Sequence, residues 1–193
     1  SPGAVSVAAN SVDIAGSGPL TFTIAQATAD MTVTASGNLA FGSAVAGGAL
    51  SLTSSTGSLT ATGDINGGST LLDAAGDIAI DGGLTGAPLT ATAGGTFTVA
   101  GDAVTGVTTI VAPGGITLAS LSSGTSTRLE AVNGPIVVPE LATLGSVQAL
   151  GLDVSLASNG PLFIAQGSAT AGDFEVVAGG ELTTGTIDAT GIA

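Results

Sequence analysis

The chain of 193 residues contains no Cys, His, Lys, Trp or Tyr, and only five Phe. Its single cation is Arg128, set against 14 acidic residues, for a formal net charge of -13. Without a patch of Lys and Arg there is nothing to displace counterions from phosphates, so nucleic acid is excluded as a partner. The same shortage argues against recruitment to an anionic membrane surface, which acts through polybasic segments. No run of 18 apolar residues occurs, and the first residues lack the charged and apolar regions of a secretory signal, so membrane insertion is not expected. The chain is therefore expected to be soluble, or part of something soluble. Absence of Cys removes disulfides and thiolate metal sites. Absence of His removes the usual general base, and absence of Tyr and Trp removes the platforms on which sugar rings stack.

What is present is small and regular. Gly accounts for 32 residues, and Ala, Val, Leu, Ile, Ser and Thr fill most of the rest. A Gly followed two positions later by a large apolar residue recurs at Gly18, Gly37, Gly57, Gly76, Gly95, Gly114, Gly134, Gly160 and Gly180. The intervals are 19, 20, 19, 19, 19, 20, 26 and 20 residues. A fixed period of this kind marks a repeat architecture. Two positions after each Gly stand Leu20, Leu39, Leu59, Ile78, Phe97, Ile116, Ile136, Leu162 and Leu182, the expected inward core column. Two positions further, Phe22, Phe41, Ala61, Ile80, Val99, Leu118, Val138, Ile164 and Thr184 complete an alternation that reads as strand.

A second column lies four residues before the Gly: Ile14, Val33, Leu72, Ala91, Ile110, Leu156 and Val176. In the units of Gly57 and Gly134 the matching residues, Leu52 and Leu129, lie five before it, and both units follow a 20-residue step. The extra residue is therefore expected in the corner between the two strands. A looser apolar position follows the Gly by seven to nine residues, at Val45, Ile65, Leu84, Val104, Leu121 and Ile187. Three short strands per unit are implied, with corners of Gly, Asn, Asp and Pro such as Asn133-Gly134-Pro135 and Asn159-Gly160-Pro161.

Units this short cannot bury a core alone, whereas stacked units pair each strand with its equivalent in the next coil. The fold class is thus all-β, a right-handed parallel β-helix (β-solenoid) of roughly nine to ten coils, in a single domain over residues 1–193. At about 4.8 Å per coil it makes a rod on the order of 45 Å long. Leucine-rich repeats and propeller blades fit the spacing poorly. No amphipathic capping helix is apparent at Ser1-Pro2-Gly3-Ala4-Val5 or at Gly191-Ile192-Ala193, so the ends are expected to continue into further solenoid segments or to meet copies of the chain end to end.

The stretch Leu89-Thr90-Ala91-Thr92-Ala93-Gly94-Gly95-Thr96-Phe97-Thr98-Val99, repeated with variation along nearly the whole chain, resembles the filamentous-haemagglutinin-like exoproteins of Gram-negative bacteria. That resemblance implies an extracellular, cell-surface β-helix serving as an adhesin or structural stalk. Its partners would be neighbouring segments and a cell-surface or glycan receptor, with no cofactor. The Asn-Pro-Asn-Leu motif of the family's secretion domain is absent, so only the rod is matched and no functional residue carries over.

Several residues are candidates for chemistry. Paired carboxylates can perform glycosidase chemistry, and Asp77 with Asp81, or Asp64 with Asp102, are the pairs on offer. Solvated corner residues are the competing reading. Asp153 and Asp173 occupy equivalent positions in neighbouring units, a candidate weak calcium site, although the Gly-rich nonapeptide of calcium-loaded β-rolls is missing. Thr-x-Thr pairs such as Thr32 with Thr34, Thr60 with Thr62, and Thr90 with Thr92 suggest an ice-binding face, but in the Gly-anchored alignment they fall in different columns and skip coils. Finally, the 26-residue interval places its surplus at 139–151. These residues are either an inserted bulge or a longer third side of the coil. Within them Glu140, Leu141, Leu144, Val147 and Gln148 form the candidate interaction loop, and Arg128 is expected to pair with Glu140.

Overall fold

The computed structural model describes residues 5–190. The expected continuations at Ser1 to Ala4 and at Gly191 to Ala193 lie outside the described residues. Strands make up 70% of the structure and form one parallel sheet wound into a β-solenoid of about 10 turns, with no helix among the described residues.

Each coil has up to three sides. The first carries the Gly-anchored apolar pattern, as in Leu59–Ala61, Ile78–Ile80 and Ile136–Val138. The second is short, as in Ile65–Asn66, Leu84–Gly86 and Leu141–Thr143. The third is longer, as in Met31–Ala35, Ala49–Ser54, Leu89–Ala93 and Ser146–Gly151. In the coils of Leu20–Ala27 and Leu39–Ala46 the first two sides form one strand. The strands Thr96–Val111 and Gly115–Ala131 run through all three sides.

Parallel pairing stacks like on like. Leu20, Leu39, Leu59, Ile78, Phe97, Ile116 and Ile136 lie one above another in register, as the spacing predicts. On the third side Ile14, Val33, Leu52, Leu72, Ala91, Ile110 and Leu129 do the same. The extra residue of the 20-residue units falls in the expected corner. Ala35 pairs with Ser54 and Leu39 with Leu59, so the corner from third to first side holds three residues in one coil and four in the next. Phe22 and Phe41 stack with ring centroids 5.1 Å apart and planes 12° from parallel, which is one coil spacing.

Two expectations are corrected. First, Leu162 and Leu182 do not continue the Gly-anchored column. Ile136 pairs with Val154, and Val154 with Phe174, while Leu162 pairs with Leu182 on the third side, next to the pairing of Ser146 with Phe163. The ladder takes a step of 18 residues from Ile136 to Val154, so the motif at Gly160 arrives later around the coil than its predecessors. The 26-residue interval is one coil plus the arc from first to third side. Residues 139–151 are accordingly no inserted bulge, since Leu141 pairs with Leu121 and Ser146 to Gly151 pair with Ser126 to Ala131. For the same reason Leu156 and Val176 belong to the first side rather than to the column of Ile110 and Leu129. Second, Val45 and Val104 are not the inward residues of the second side. The buried positions are Ala44 and Ala103, while Val104 is 50% exposed. Strand alternation turns Ala44 and Ala103 inward and the adjacent Val away from the interior.

The buried columns carry the stability. Replacing Phe97, which is fully buried between Ile78 and Ile116, by Ala is expected to cost about 3–5 kcal/mol. The change Val104→Ala, on the exposed face, is expected to stay within about 0.5 kcal/mol. Urea unfolding followed by circular dichroism compares the two, and equal losses would mean that the columns are misassigned.

Candidate functional site

At the corners, side-chain oxygens add to the backbone bonds between coils, such as that from Gly76 N–H to the carbonyl of Gly57 at 2.8 Å. The backbone N–H of Ser58 donates to Asn38 Oδ1 at 3.1 Å, that of Asp77 to Ser58 Oγ at 3.1 Å, and that of Thr96 to Asp77 Oδ1 at 2.7 Å. Each of these residues stands at the entry to a first-side strand, so one polar column ties four successive coils. Asp30 Oδ1 accepts from Ala49 N–H at 2.8 Å, and Asp64 Oδ1 from Gly83 N–H at 2.8 Å. Ser120 Oγ donates to Asp102 Oδ1 at 2.7 Å. These carboxylates therefore accept bonds from amides and hydroxyls of the next coil.

The sequence candidates divide accordingly. Asp77 is engaged by Thr96, whereas Asp81 is exposed at the other end of Ile78–Ile80. Asp153 Oδ1 accepts from the N–H of Asp173 at 3.1 Å, the same corner bond, and among the described residues no group of three acidic side chains is placed to hold a metal ion. Thr32 with Thr34 and Thr90 with Thr92 share columns on the third side, at one offset from Gly37 and Gly95, whereas Thr60 lies on the first side. Thr32 and Thr34 stack on Ser51 and Thr53, but Leu71 and Asp73 interrupt the rank before Thr90 and Thr92. Arg128 pairs with Glu130 at 2.6 Å rather than with Glu140, because residues two apart on one strand share a face.

The candidate loop is split between core and surface. Leu141 and Val147 are buried in the interior. Gln148 lies on the outer face of the third side, between Arg128 and Gln166 in register. Glu140 and Leu144 remain, and both line a groove of about 610 Å3 with Ser120, Ser122, Ala142 and the apex Asn159-Gly160-Pro161. Leu144 is 95% exposed, the most exposed large apolar side chain among the described residues.

The irregular interval coincides with a feature of the strand pairing. Among the described residues Leu141–Thr143 pairs with the coil of Leu121 alone, and no strand of the following coil pairs with it. Every other strand between the two ends of the rod has partners on both sides, for example Ile136–Val138 between the strands of Ile116 and Val154. The signal for this was the 26-residue interval, read as surplus chain when it marks a slip of motif against coil.

Comparison of the chain with protein-family models, with curated proteins and with solved structures finds no match.

The two bonds from Thr96 hold the Asp77 carboxyl below its ordinary value of 3.8, the backbone N–H contributing more than the hydroxyl. A carboxyl depressed in the folded state adds stability above its unfolded value, and that stability is lost as the pH falls through the folded one. Unfolding midpoints in urea are thus expected to drop below about pH 4, with part of the drop missing in Asp77→Asn. At neutral pH, Asp77→Ala is expected to cost about 1 kcal/mol for the lost corner bonds. Identical pH profiles for the parent chain and Asp77→Asn would remove this role from Asp77.

Proposed function

We propose that the chain is a structural or adhesive rod of an extracellular bacterial surface protein or fibre, of the filamentous-haemagglutinin-like type, which joins neighbouring solenoid segments or copies of itself end to end. One observation carries this reading. The parallel coil ladder stacks like on like through about 10 turns. In the coil of Leu182–Ala189, Leu182 and Ile187 are 43% and 40% exposed, although they extend columns that are buried lower in the rod. A ladder of this kind is extended by any further coil of the same type, from a neighbouring segment or from another copy. The mechanism is mechanical: stacked backbone ladders resist bending and proteolysis, while corner carboxylates and outward Ser and Thr keep the surface hydrated. A receptor on another cell, glycan or protein, would be met by the sides of the rod.

The carboxylates support this reading over a polysaccharide-acting enzyme, since those engaged at the corners already accept bonds from the next coil. The interrupted Thr rank supports it over an ice-binding face.

Sedimentation and negative-stain microscopy of the purified chain test the assembly. Rods longer than the roughly 45 Å of ten coils, lengthening with concentration, are the expected result. An added charge in the end column, Ile187→Lys, is expected to shorten them. Strictly monomeric particles at high concentration would refute joining between copies, and ice recrystallisation inhibition would revive the ice-binding alternative.

A further inference from the structure

The geometry points to a peptide-binding site on the side of the rod: the open edge of Leu141–Thr143 takes an extended, cationic peptide segment of another protein as an added parallel strand. The inference does not depend on where the rod works or on whether its ends join.

The backbone supplies the recognition. Leu121 N–H donates to the carbonyl of Glu140 at 2.8 Å, and Leu144 N–H donates to the carbonyl of Ser123 at 3.3 Å. Even-numbered residues of this strand therefore face the coil below. A parallel strand presents alternate residues to opposite neighbours, so the N–H and C=O of Leu141 and Thr143 face away from it, where no strand pairs. The apex that overlooks this edge bonds elsewhere: Gly179 N–H donates to the carbonyl of Ser158 at 2.7 Å, and Gly180 N–H to that of Gly160 at 3.1 Å. A space of about 610 Å3 separates the edge from the apex, within the range of about 300–1,000 Å3 typical of ligand sites.

Chemistry selects the occupant. Donors and acceptors repeating at strand spacing match another peptide backbone, which is how exposed edges capture partners. A glycan offers hydroxyls at no such period. Three residues of edge pair with about 10 Å of extended chain. Ala142 and Leu144 offer apolar contact beside it, and Glu140 supplies a carboxylate on a molecule of net charge -13. A cationic segment is attracted and an acidic one repelled. A second copy of this chain, with one Arg among 193 residues, is a poor fit.

The probe is a blocked hexapeptide alternating Val and Lys, titrated into the 15N-labelled chain by NMR. Saturable shifts centred on the amides of Leu141 and Thr143 are expected. Binding is expected to weaken about tenfold or more in Ala142→Arg, which places bulk and positive charge in the groove, and to weaken in Glu140→Gln. N-methylation of alternate peptide amides is expected to abolish it, an arm that uses the unaltered chain and so decides the matter even where a variant fails to fold. Absence of saturable shifts at those two amides would overturn the proposal, as would equal binding of the N-methylated peptide or of its Glu-for-Lys counterpart. Dimerisation of the chain through the same amides would also overturn it by showing a second copy as the occupant.

Discussion

The parallel backbone ladder between successive coils is the constraint on which everything else rests. It requires each strand to lie about 4.8 Å from its equivalent one coil away, and the chain meets that requirement with steps of 17 to 20 residues on the first side. Once the ladder is imposed, side chains have no freedom in choosing neighbours. Leu39 must sit between Leu20 and Leu59, and Phe22 must lie against Phe41, so the interior is filled by columns rather than by a mixed core. In the second-side column Ala25, Ala44, Ile65, Leu84, Ala103, Leu121 and Leu141 stack in register, so the size of the inward side chain changes from coil to coil.

The ladder also decides where charge can stand. Like carboxylates stacked one coil apart would repel at about 4.8 Å, whereas two coils put them roughly 10 Å apart, close to the Debye length in physiological salt. The corner column before the first side reads Asn38, Ser58, Asp77, Thr96, with one charge in four. Another corner reads Asp64, Gly83, Asp102. Asp153 under Asp173 breaks this spacing, and there the backbone N–H of Asp173 supplies the compensating donor. The geometry of the corners thus distributes these carboxylates along the rod.

These rules made much of the fold legible from residues alone. Columns from Leu20 to Ile136 could be read because a large apolar residue at a fixed offset from Gly is a strong signal, and the four-residue corner before Leu59 followed from counting. Legibility failed where two residues compete for one position or where motif and coil part company. Val104 outranks Ala103 in hydrophobicity, yet strand alternation turns Ala103 inward and Val104 outward. Gly160-Pro161-Leu162 repeats Gly18-Pro19-Leu20 so closely that alignment puts them on one side, while hydrogen bonding across the coil puts Leu162 on another. Arg128 was matched to Glu140 by proximity in the chain, although strand geometry gives it Glu130.

The slip between motif and coil has a structural consequence that a regular repeat cannot produce. A solenoid in perfect phase has strand edges at its ends and nowhere else, and its flanks offer side chains alone. Advancing the motif by part of a coil after Val138 leaves Leu141–Thr143 with one partner, because the following chain passes from Ser158 through the apex to Leu162 without laying down a matching strand. An internal edge invites unwanted pairing, and natural sheets limit that risk by keeping such edges short and covering them. Here the edge is three residues long and lies beneath the apex of Asn159-Gly160-Pro161. Leu144 stands exposed at its rim although Leu141 and Val147 on either side are buried. An edge kept this short excludes long sheets and admits a short strand, so the same irregularity that interrupts the repeat gives the flank of the rod its selectivity.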